Sequence, residues 1–371
     1  MSDRSSSRLK LLCLGTYPVE SAAARYRVLQ YFPHLREHGI EAEFAPFLSS
    51  EFFREFYSPG RRLHKALHLL GAAARRLAMI GAARNFDAVL VHREAMLMGP
   101  PLVERAIARL VRKPMIFDFD DAIHLPFHSP VYGRLASLAK FPQKTRQNIA
   151  MSRAVVAGNA NLVSYAEQFN PNVTMIPTVV DANLLRPRVD PAPLGPMVLG
   201  WMGTHTTFPF LEALFPVLRE VAAQRSIVVR IVGAGRDVSV EGIAIDNRPW
   251  TLESETNDLQ SFDIGLYPIE EDQFTLGKSG FKAIQYMTVG IPAVCSPVGA
   301  TCDIVHDGEQ GFLPRTPVEW KERLCHLIDD VALRRKLGLA GRARVEEWYC
   351  SARQAPRLRA VIEQSIDRAV H

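Results

Sequence analysis

Apolar strand-like runs alternate with segments of helical period along the whole chain. In the first half, the apolar runs cover residues 9–15, 40–47, 87–92, 114–119 and 153–157. Between them lie segments whose apolar residues recur at helical spacing: residues 25–39, a long stretch ending at residue 85, and residues 101–111 and 132–151. This alternation predicts a parallel sheet that helices cover on both faces.

A proline-rich stretch, residues 176–197, separates this half from a second alternation. The second series comprises residues 197–202, 211–224, 226–232, 243–247, 262–267, 281–289 and 293–296. Such a linker between two β-α series is typical of a domain boundary. We therefore predict an α/β protein of two Rossmann-like domains facing each other across a cleft, residues 1–185 and 186–347. Ligands of such sheets bind at the carboxyl ends of the strands.

Composition narrows the class of protein. Of 371 residues, 47% are hydrophobic and 22% are charged, which excludes disordered and fibrous chains. No apolar run approaches the ~20 residues that span a bilayer. The polar first residues, MSDRSSSRLK, and five scattered cysteines without a C-x-x-C pair predict a cytoplasmic protein with reduced thiols. The net charge of +5 favours phosphate-bearing ligands or an anionic membrane surface, and no nucleic-acid-binding motif is present.

The loop before the predicted helix 281–289 has the strongest ligand-binding pattern. Gly277 and Gly280 allow close approach of the backbone, while Lys278 and Lys282 add positive charge at a helix N-terminus. A diphosphate would fit there. The string G-K-S lacks the earlier glycine of a Walker A loop, which argues against an NTPase. The alternative is that both lysines are ordinary solvated side chains.

Another strand-to-helix loop, Gly203-Thr204-His205, follows the predicted strand 197–202. It could bind a ligand, or Thr206 or Thr207 could simply cap the next helix. Gly233-Ala234-Gly235 lacks the third glycine of a dinucleotide fingerprint, so we interpret it as a tight turn.

Three carboxylates close a strand in the first half, in Phe117-Asp118-Phe119-Asp120-Asp121. They could bind a cation, act in catalysis, or cap the next element. Arg93, beside His92 and Glu94, closes the neighbouring strand and either faces the cleft or forms a surface ion pair.

The segment from Arg61 to Asn85 contains six basic residues and no acid, with leucines at helical spacing. This pattern fits a helix on anionic lipid or an ordinary surface helix.

Together these residues resemble the GT-B glycosyltransferases, specifically the family 4-like retaining group 1 enzymes. The most specific string is GKSGFKAIQYMTVGIPAVCSPVGATCDIVHDGEQGFL, residues 277–313. It is supported by FDIGLYPIEED, IPTVVDANLLRP, GWMG, FDFDDAIH and ARYRVLQYFPHLREHGIE, which begin at residues 262, 176, 200, 117 and 24.

The resemblance implies a nucleotide-sugar donor in the second domain, an acceptor in the first, and a C-terminal helix, residues 348–371, crossing back to the first. It implies no cofactor, and metal is usually dispensable in this fold. The implied catalytic residues are Asp120 and Asp121, and Gly15, Arg25, Arg27 and Arg93 would line the acceptor cleft. The implied donor-binding residues are Gly203, Thr204, His205, Trp250, Gly277, Lys278, Ser279, Gly280, Lys282 and Gln285.

The sequence departs from the family pattern at three places. Gly277 and Gln285 occupy the positions of the two glutamates of an E-x7-E motif. Asp120 stands where a histidine is common, and GTHTTF replaces the usual Arg and Lys after the first strand of the second domain.

These observations predict a glycosyltransferase acting on a cell-surface glycan or a lipid-linked acceptor, in cell-envelope polysaccharide synthesis. It would be cytoplasmic or peripheral at the inner face of the membrane. The alternatives are a non-catalytic nucleotide-sugar-binding subunit and another GT-B enzyme such as a sugar-nucleotide epimerase.

Overall fold

The chain folds into two compact units. The computed structural model describes residues 8–56, 58, 60–126, 140–188 and 195–367. Unit 1 comprises residues 1–178 and 354–371, and unit 2 comprises residues 179–353. The break between the units at Thr178 and Val179 falls inside the proline-rich stretch.

Unit 1 is built on six parallel strands in the order β2-β1-β3-β4-β5-β6. They are β1 (Leu9–Gly15), β2 (Ile40–Pro46), β3 (Ala88–His92), β4 (Met115–Phe119), β5 (Ala154–Ala157) and β6 (Val173–Met175). Every residue of β3 and β4 is buried, as expected for central strands with helices on both faces. The order reverses between β1 and β3, which is where open α/β sheets bind ligands.

The helices of unit 1 follow the β-α alternation. They are α1 (Ala22–Arg27), α2 (Phe32–Glu37), α3 (Ser50–Phe56), α4 (Arg62–Ala82), α5 (Leu102–Ala106), α6 (Gln143–Met151) and α7 (Ala160–Glu167). A π-helical turn, Ile107–Val111, extends α5, and 3₁₀ turns lie at Leu29–Tyr31 and Ala83–Asn85.

Unit 2 has the Rossmann strand order, β12-β11-β10-β7-β8-β9, again all parallel. Its strands are β7 (Met197–Met202), β8 (Ile227–Val232), β9 (Ala244–Arg248), β10 (Ile264–Tyr267), β11 (Ala293–Cys295) and β12 (Gly311–Phe312). Its helices are α8 (Phe208–Glu212), α9 (Phe215–Ala222), α10 (Glu255–Gln260), α11 (Gln273–Leu276), α12 (Phe281–Thr288), α13 (Thr301–Ile304), α14 (Pro317–Asp329) and α15 (Val331–Trp348). The last helix, α16 (Ser351–Asp367), belongs to unit 1 from Gln354 onward.

The predicted α/β fold with two Rossmann-like domains is confirmed, with differences in several elements. The single helix predicted over residues 25–39 is divided into α1 and α2, and the one predicted over 211–224 is replaced by α8 and α9. In each case a proline stands in the first turn of the later helices, where it starts a new helix. Of the helix predicted over 132–151, the part before residue 140 lies outside the described residues.

In the described part of the chain, no helix is both long enough and apolar enough to span a bilayer.

Candidate active site

The carboxylates predicted as catalytic lie at the carboxyl end of β4, beside the end of β3. Asp118 is within β4 and pairs in register with His92 of β3, while Asp120 and Asp121 follow the strand directly. Asp118 and Asp120 are 3% and 5% exposed. The sheet therefore gathers three acids and a histidine at one edge of unit 1.

Asp118 is the centre of a buried ion-pair network. Its carboxylate pairs with Arg27, and Oδ2 lies 2.7 Å from His92 Nδ1. Arg27 Nη1 also donates to the carbonyl oxygen of Ile176 at 2.6 Å. Burial alone would raise the pKa of Asp118, but Arg27 and His92 outweigh it and hold that pKa below its ordinary value. Asp118 is therefore an ionised structural anchor.

Asp120 is held by a different arginine. Its Oδ1 lies 2.9 Å from Arg93 Nε and 2.7 Å from Nη2, and Thr178 Oγ1 donates to Oδ2 at 3.3 Å. Burial would raise the pKa of Asp120, but the Arg93 guanidinium, helped by the other charges at this edge, holds it far below its ordinary value. Asp120 is thus a fixed negative charge at neutral pH.

Backbone geometry brings Arg93 to this position. Arg93 has φ 62°, in the left-handed region that non-glycine residues rarely adopt, and its N–H donates to the Asp118 carbonyl oxygen at 2.7 Å. Gly158, after β5, makes room on the other side, because a Cβ there would lie 2.9 Å from Asp120 Cα. Strained non-glycine residues of this kind cluster at functional sites.

Asp121 is more open than its neighbours. Its side chain is 25% exposed, Oδ2 lies 3.8 Å from Arg93 Nη2, and Oδ1 accepts the Ala122 N–H at 3.0 Å. Among the described residues, its side chain bonds within a turn and not to a helix N-terminus, which does not support the capping alternative.

The residues predicted to line the acceptor cleft have different environments. Gly15 ends β1, where a Cβ would lie 2.8 Å from the Phe44 ring, and half-buried Arg25 stands 5.0 Å from the Tyr26 ring centroid. Arg27 is buried, with Nε and Nη2 bonded to Asp118 and Nη1 to Ile176, which assigns it to positioning Asp118. Arg93 joins the predicted catalytic acids.

In unit 2, the Gly203-Thr204-His205 loop follows β7. Gly203 has no room for a side chain, because a Cβ would lie 2.3 Å from the Trp201 ring. Thr207 does not cap α8 with its side chain; its Oγ1 instead exchanges hydrogen bonds with the backbone of Thr204 at 3.2 Å. The side chain of His205 is exposed to solvent.

Trp250 lies near the same loop. Its Nε1 donates to Glu255 Oε2 at 2.9 Å, and the side chain is half-buried. A Cβ on Gly233 would lie 3.1 Å from Trp250 Cβ and 2.4 Å from the Gly203 carbonyl oxygen. Gly233 and Gly235 have φ of 84° and 75°, consistent with the tight-turn interpretation. The hydrogen bond to Glu255 fixes the orientation of the indole.

Residues 277–282, which we call the lysine loop, run from the end of α11 into the first turn of α12. Asp272 caps α11 through a reciprocal pair of bonds with Thr275, and Gly277 ends that helix. The Lys278 ammonium lies 4.5 Å from the Phe274 ring centroid. Ser279 is half-buried, and Gly280 begins α12 with φ 64°.

Lys282 in the first turn of α12 connects this loop with β7 and β10. Its Nζ lies 5.9 Å from the Trp201 ring and 5.2 Å from the Tyr267 ring, within reach of cation–π attraction. Gln285, one turn later, is buried. The loops after β7 and before α12 therefore lie at one sheet edge of unit 2, while their role in ligand binding stays a prediction.

The sequence analysis placed His92 beside Arg93 at the end of a predicted strand but did not include it among the site residues, and it did not assign Thr178. Thr178 lies in the proline-rich stretch, where no pattern indicates that its hydroxyl meets Asp120. Among the described residues, no group of three or more His, Cys, Asp or Glu side chains could hold a metal ion.

Comparison with known proteins identifies part of unit 2. Residues 198–330 match the family model described as Glycosyl transferases group 1. No curated protein matches the chain in sequence.

Solved structures match nearly the whole chain in fold. A glycosyltransferase from Rickettsia africae superposes with a TM-score of 0.68 at 15% identity, covering 97% of this chain and 99% of its own. HepE of Anabaena, solved with UDP and glucose, superposes with a TM-score of 0.67 at 14% identity, covering 96% of this chain and 100% of its own. Sucrose-phosphate synthase of Thermosynechococcus elongatus gives 0.67 at 14%, covering 97% and 100%. At these identities the similarity concerns the fold.

Proposed function

We propose that this chain, whose residues 198–330 match the family model described as Glycosyl transferases group 1, transfers a sugar from a nucleotide-sugar donor to a glycan or lipid-linked acceptor. This match agrees with the family resemblance inferred from the sequence. The donor, the acceptor and the stereochemistry, for which we propose retention, belong to the proposal.

The observation that carries the proposal is the lysine loop inside the family match. Lys278 and Lys282 flank the start of α12, where the helix dipole favours an anion. HepE, which shares the fold, is described with UDP and with UDP-glucose. A nucleoside diphosphate at this loop would have its charge met by two ammonium groups and a helix N-terminus.

The same groups suit the departure of the nucleotide. Negative charge grows on the diphosphate as the bond to the sugar breaks, and fixed positive groups stabilise that charge more in the transition state than in the bound donor. Gln285, in place of a glutamate, can still hydrogen-bond ribose hydroxyls. Gly277 offers no side chain to the sugar, so sugar contacts would fall to the backbone of this loop.

In unit 1, Asp120 would act by its charge. A carboxyl group with a strongly lowered pKa is a poor base near neutral pH, so it is unsuited to removing the proton of an acceptor hydroxyl. Its negative charge can instead stabilise an oxocarbenium-like sugar. Asp121, which is less buried, could orient the acceptor hydroxyl. No metal or cofactor enters this scheme.

We also propose that the enzyme works at the inner face of a membrane, in cell-envelope polysaccharide synthesis. The chain carries a net charge of +5, and a lipid-linked acceptor would be presented at an anionic surface.

The test is a panel of nucleotide sugars incubated with the purified chain and followed by chromatography that separates sugar epimers, with detection by mass spectrometry. A transferase releases nucleoside diphosphate slowly from its own donor even without acceptor. We expect the sugar to be recovered unchanged, either free in solution or attached to the acceptor.

Two other results would overturn the proposal. A thermal shift with one nucleotide sugar but no turnover would identify a non-catalytic binding subunit, because a ligand at 100 times its Kd stabilises by about 2.7 kcal/mol without any reaction. An isomerised sugar still attached to its nucleotide would identify an epimerase.

A further inference from the structure

The long helix α4 exposes a stripe of leucines on the surface of unit 1. Leu63, Leu67, Leu70 and Leu77 are 76%, 60%, 67% and 48% exposed. Their spacing of four, three and seven residues places them on one face of the helix, with exposed Ala74 between them. We call these four leucines the leucine stripe. Contiguous exposed apolar surface of this kind marks an interaction site.

The opposite face of α4 is fixed to unit 1, so the helix cannot turn the stripe inward. Ala72 is buried, and Arg76 Nη2 donates to the carbonyl oxygens of Gly15 and Ala45 at 3.0 and 2.8 Å. Lys65 Nζ donates to the Phe56 carbonyl oxygen at 3.0 Å. Lys65 and Arg76, two of the six basic residues that suggested a lipid surface, are therefore engaged by the protein.

The other charged side chains of α4 are basic, and Glu55, which precedes the helix, is paired with Arg61 at 3.1 Å. Between Glu55 and Asp87 the chain has no acidic residue. Because an α-helix turns ~100° per residue, Arg62 and Arg75 lie on opposite sides of the stripe, between it and the buried face. Both side chains are exposed. The stripe is thus bordered by arginines on each side.

This charge pattern decides between partners. A second copy docked stripe to stripe would bring arginine against arginine with no acid on α4 to pair with, which is unfavourable. An anionic lipid surface offers phosphate groups to the arginines and acyl chains to the leucines.

We propose that α4 lies in the plane of an anionic membrane, with the leucine stripe inserted and Arg62 and Arg75 at the headgroups. This inference rests on the membrane contact proposed above and assigns it a surface. It does not depend on the identity of the donor.

The test is sedimentation of the full-length chain with phosphatidylcholine vesicles and with vesicles that also contain phosphatidylglycerol. Wild-type protein should bind the anionic vesicles selectively, and binding should weaken as salt shortens the Debye length. The double variant Leu67→Gln, Leu70→Gln should bind anionic vesicles at least about tenfold more weakly, because glutamine gains no free energy from insertion among the acyl chains. Arg62→Gln with Arg75→Gln should reduce the preference for anionic lipid.

The matched control is Leu184→Gln with Leu339→Gln, two leucines of unit 2 that are 75% and 71% exposed. It should bind as wild type does. Nucleotide-sugar hydrolysis by the α4 variants should be unchanged, which separates this inference from the proposed transfer.

Three results would overturn the inference. Wild-type protein that stays in the supernatant at low salt removes the membrane contact itself. Full binding by the Leu67, Leu70 variant removes α4 as its surface. Concentration-dependent dimerisation that this variant abolishes, seen by analytical ultracentrifugation without lipid, identifies a second copy as the partner.

Discussion

At the scale of single residues, Asp120 has an environment that limits the chemistry it can perform. Arg93 and Thr178 occupy its oxygens, and its lowered pKa keeps it ionised. The ion pair stabilises the fold above the ordinary aspartate pKa of ~3.9, and this stabilisation is lost as pH falls through the lower folded-state pKa. Activity that depends on Asp120 should therefore not titrate with it between pH 5 and 8.

We expect Asp120→Asn to lower kcat for donor hydrolysis by about 100-fold, with nucleotide affinity little changed. Asparagine keeps the shape and loses the charge, and one electrostatic contact to a transition state is commonly worth that much. Steady-state kinetics and calorimetric titration of nucleoside diphosphate measure the two effects.

The control for Asp120→Asn is Asp263→Asn. Asp263 is a buried carboxylate paired with Arg188 at 2.5 Å in unit 2, outside the predicted site. It should lower stability while leaving kcat near wild type. Equal turnover by wild type and the Asp120 variant would remove this residue from the reaction.

At the scale of elements, the tight turn after β8 holds the Gly203 loop in place. Gly233→Ala would force a left-handed alanine against the Gly203 carbonyl oxygen, 2.4 Å from its Cβ. We expect it to destabilise the protein by roughly 2–5 kcal/mol, combining backbone strain with overpacking. Urea unfolding measures the loss.

Gly308→Ala separates strain from crowding. Gly308 has φ 79°, but a Cβ there would meet nothing within 4 Å. We expect Gly308→Ala to lower the free energy of unfolding by about 1–2 kcal/mol, because only the left-handed backbone is strained. Equal losses at both glycines would show that the contact between the turn and the Gly203 loop is unimportant.

The elements also show how far the sequence alone can reach. Strands β1 and β7 occur at their predicted residues, because buried parallel strands are continuous apolar runs with clear ends. Strands β6 and β12, of three and two residues, carry too little pattern to recognise. The helices predicted over residues 25–39 and 211–224 are divided where prolines restart them, and the short helices α7, α10, α11 and α13 were not predicted.

For the candidate site, too, the sequence indicates positions along the chain but not the contacts between side chains. Asp120 and Arg93 were selected as candidates because each directly follows a predicted strand. Their pairing could not be predicted, since it depends on the left-handed backbone of Arg93. The burial of Lys65 and Arg76 was equally hidden, because charge patterning does not reveal which cations reach buried carbonyl oxygens.

In the molecule as a whole, the two units contribute different parts of the proposed function. Unit 2 contains the family match and the lysine loop, and unit 1 contains the fixed charge of Asp120 and the leucine stripe. The central claim is that the nucleotide of the donor binds to the loops of unit 2.

Hydrogen–deuterium exchange with and without a saturating nucleoside diphosphate tests that claim most directly. The account predicts slower exchange at residues 203–205 and 277–285, because ligand bound there would occupy and shield backbone N–H groups. Lys278→Ala should lose this protection at a nucleotide concentration where Lys336→Ala, an exposed lysine on α15, retains it. Protection that is absent from both loops, or confined to residues 8–178, would contradict the account.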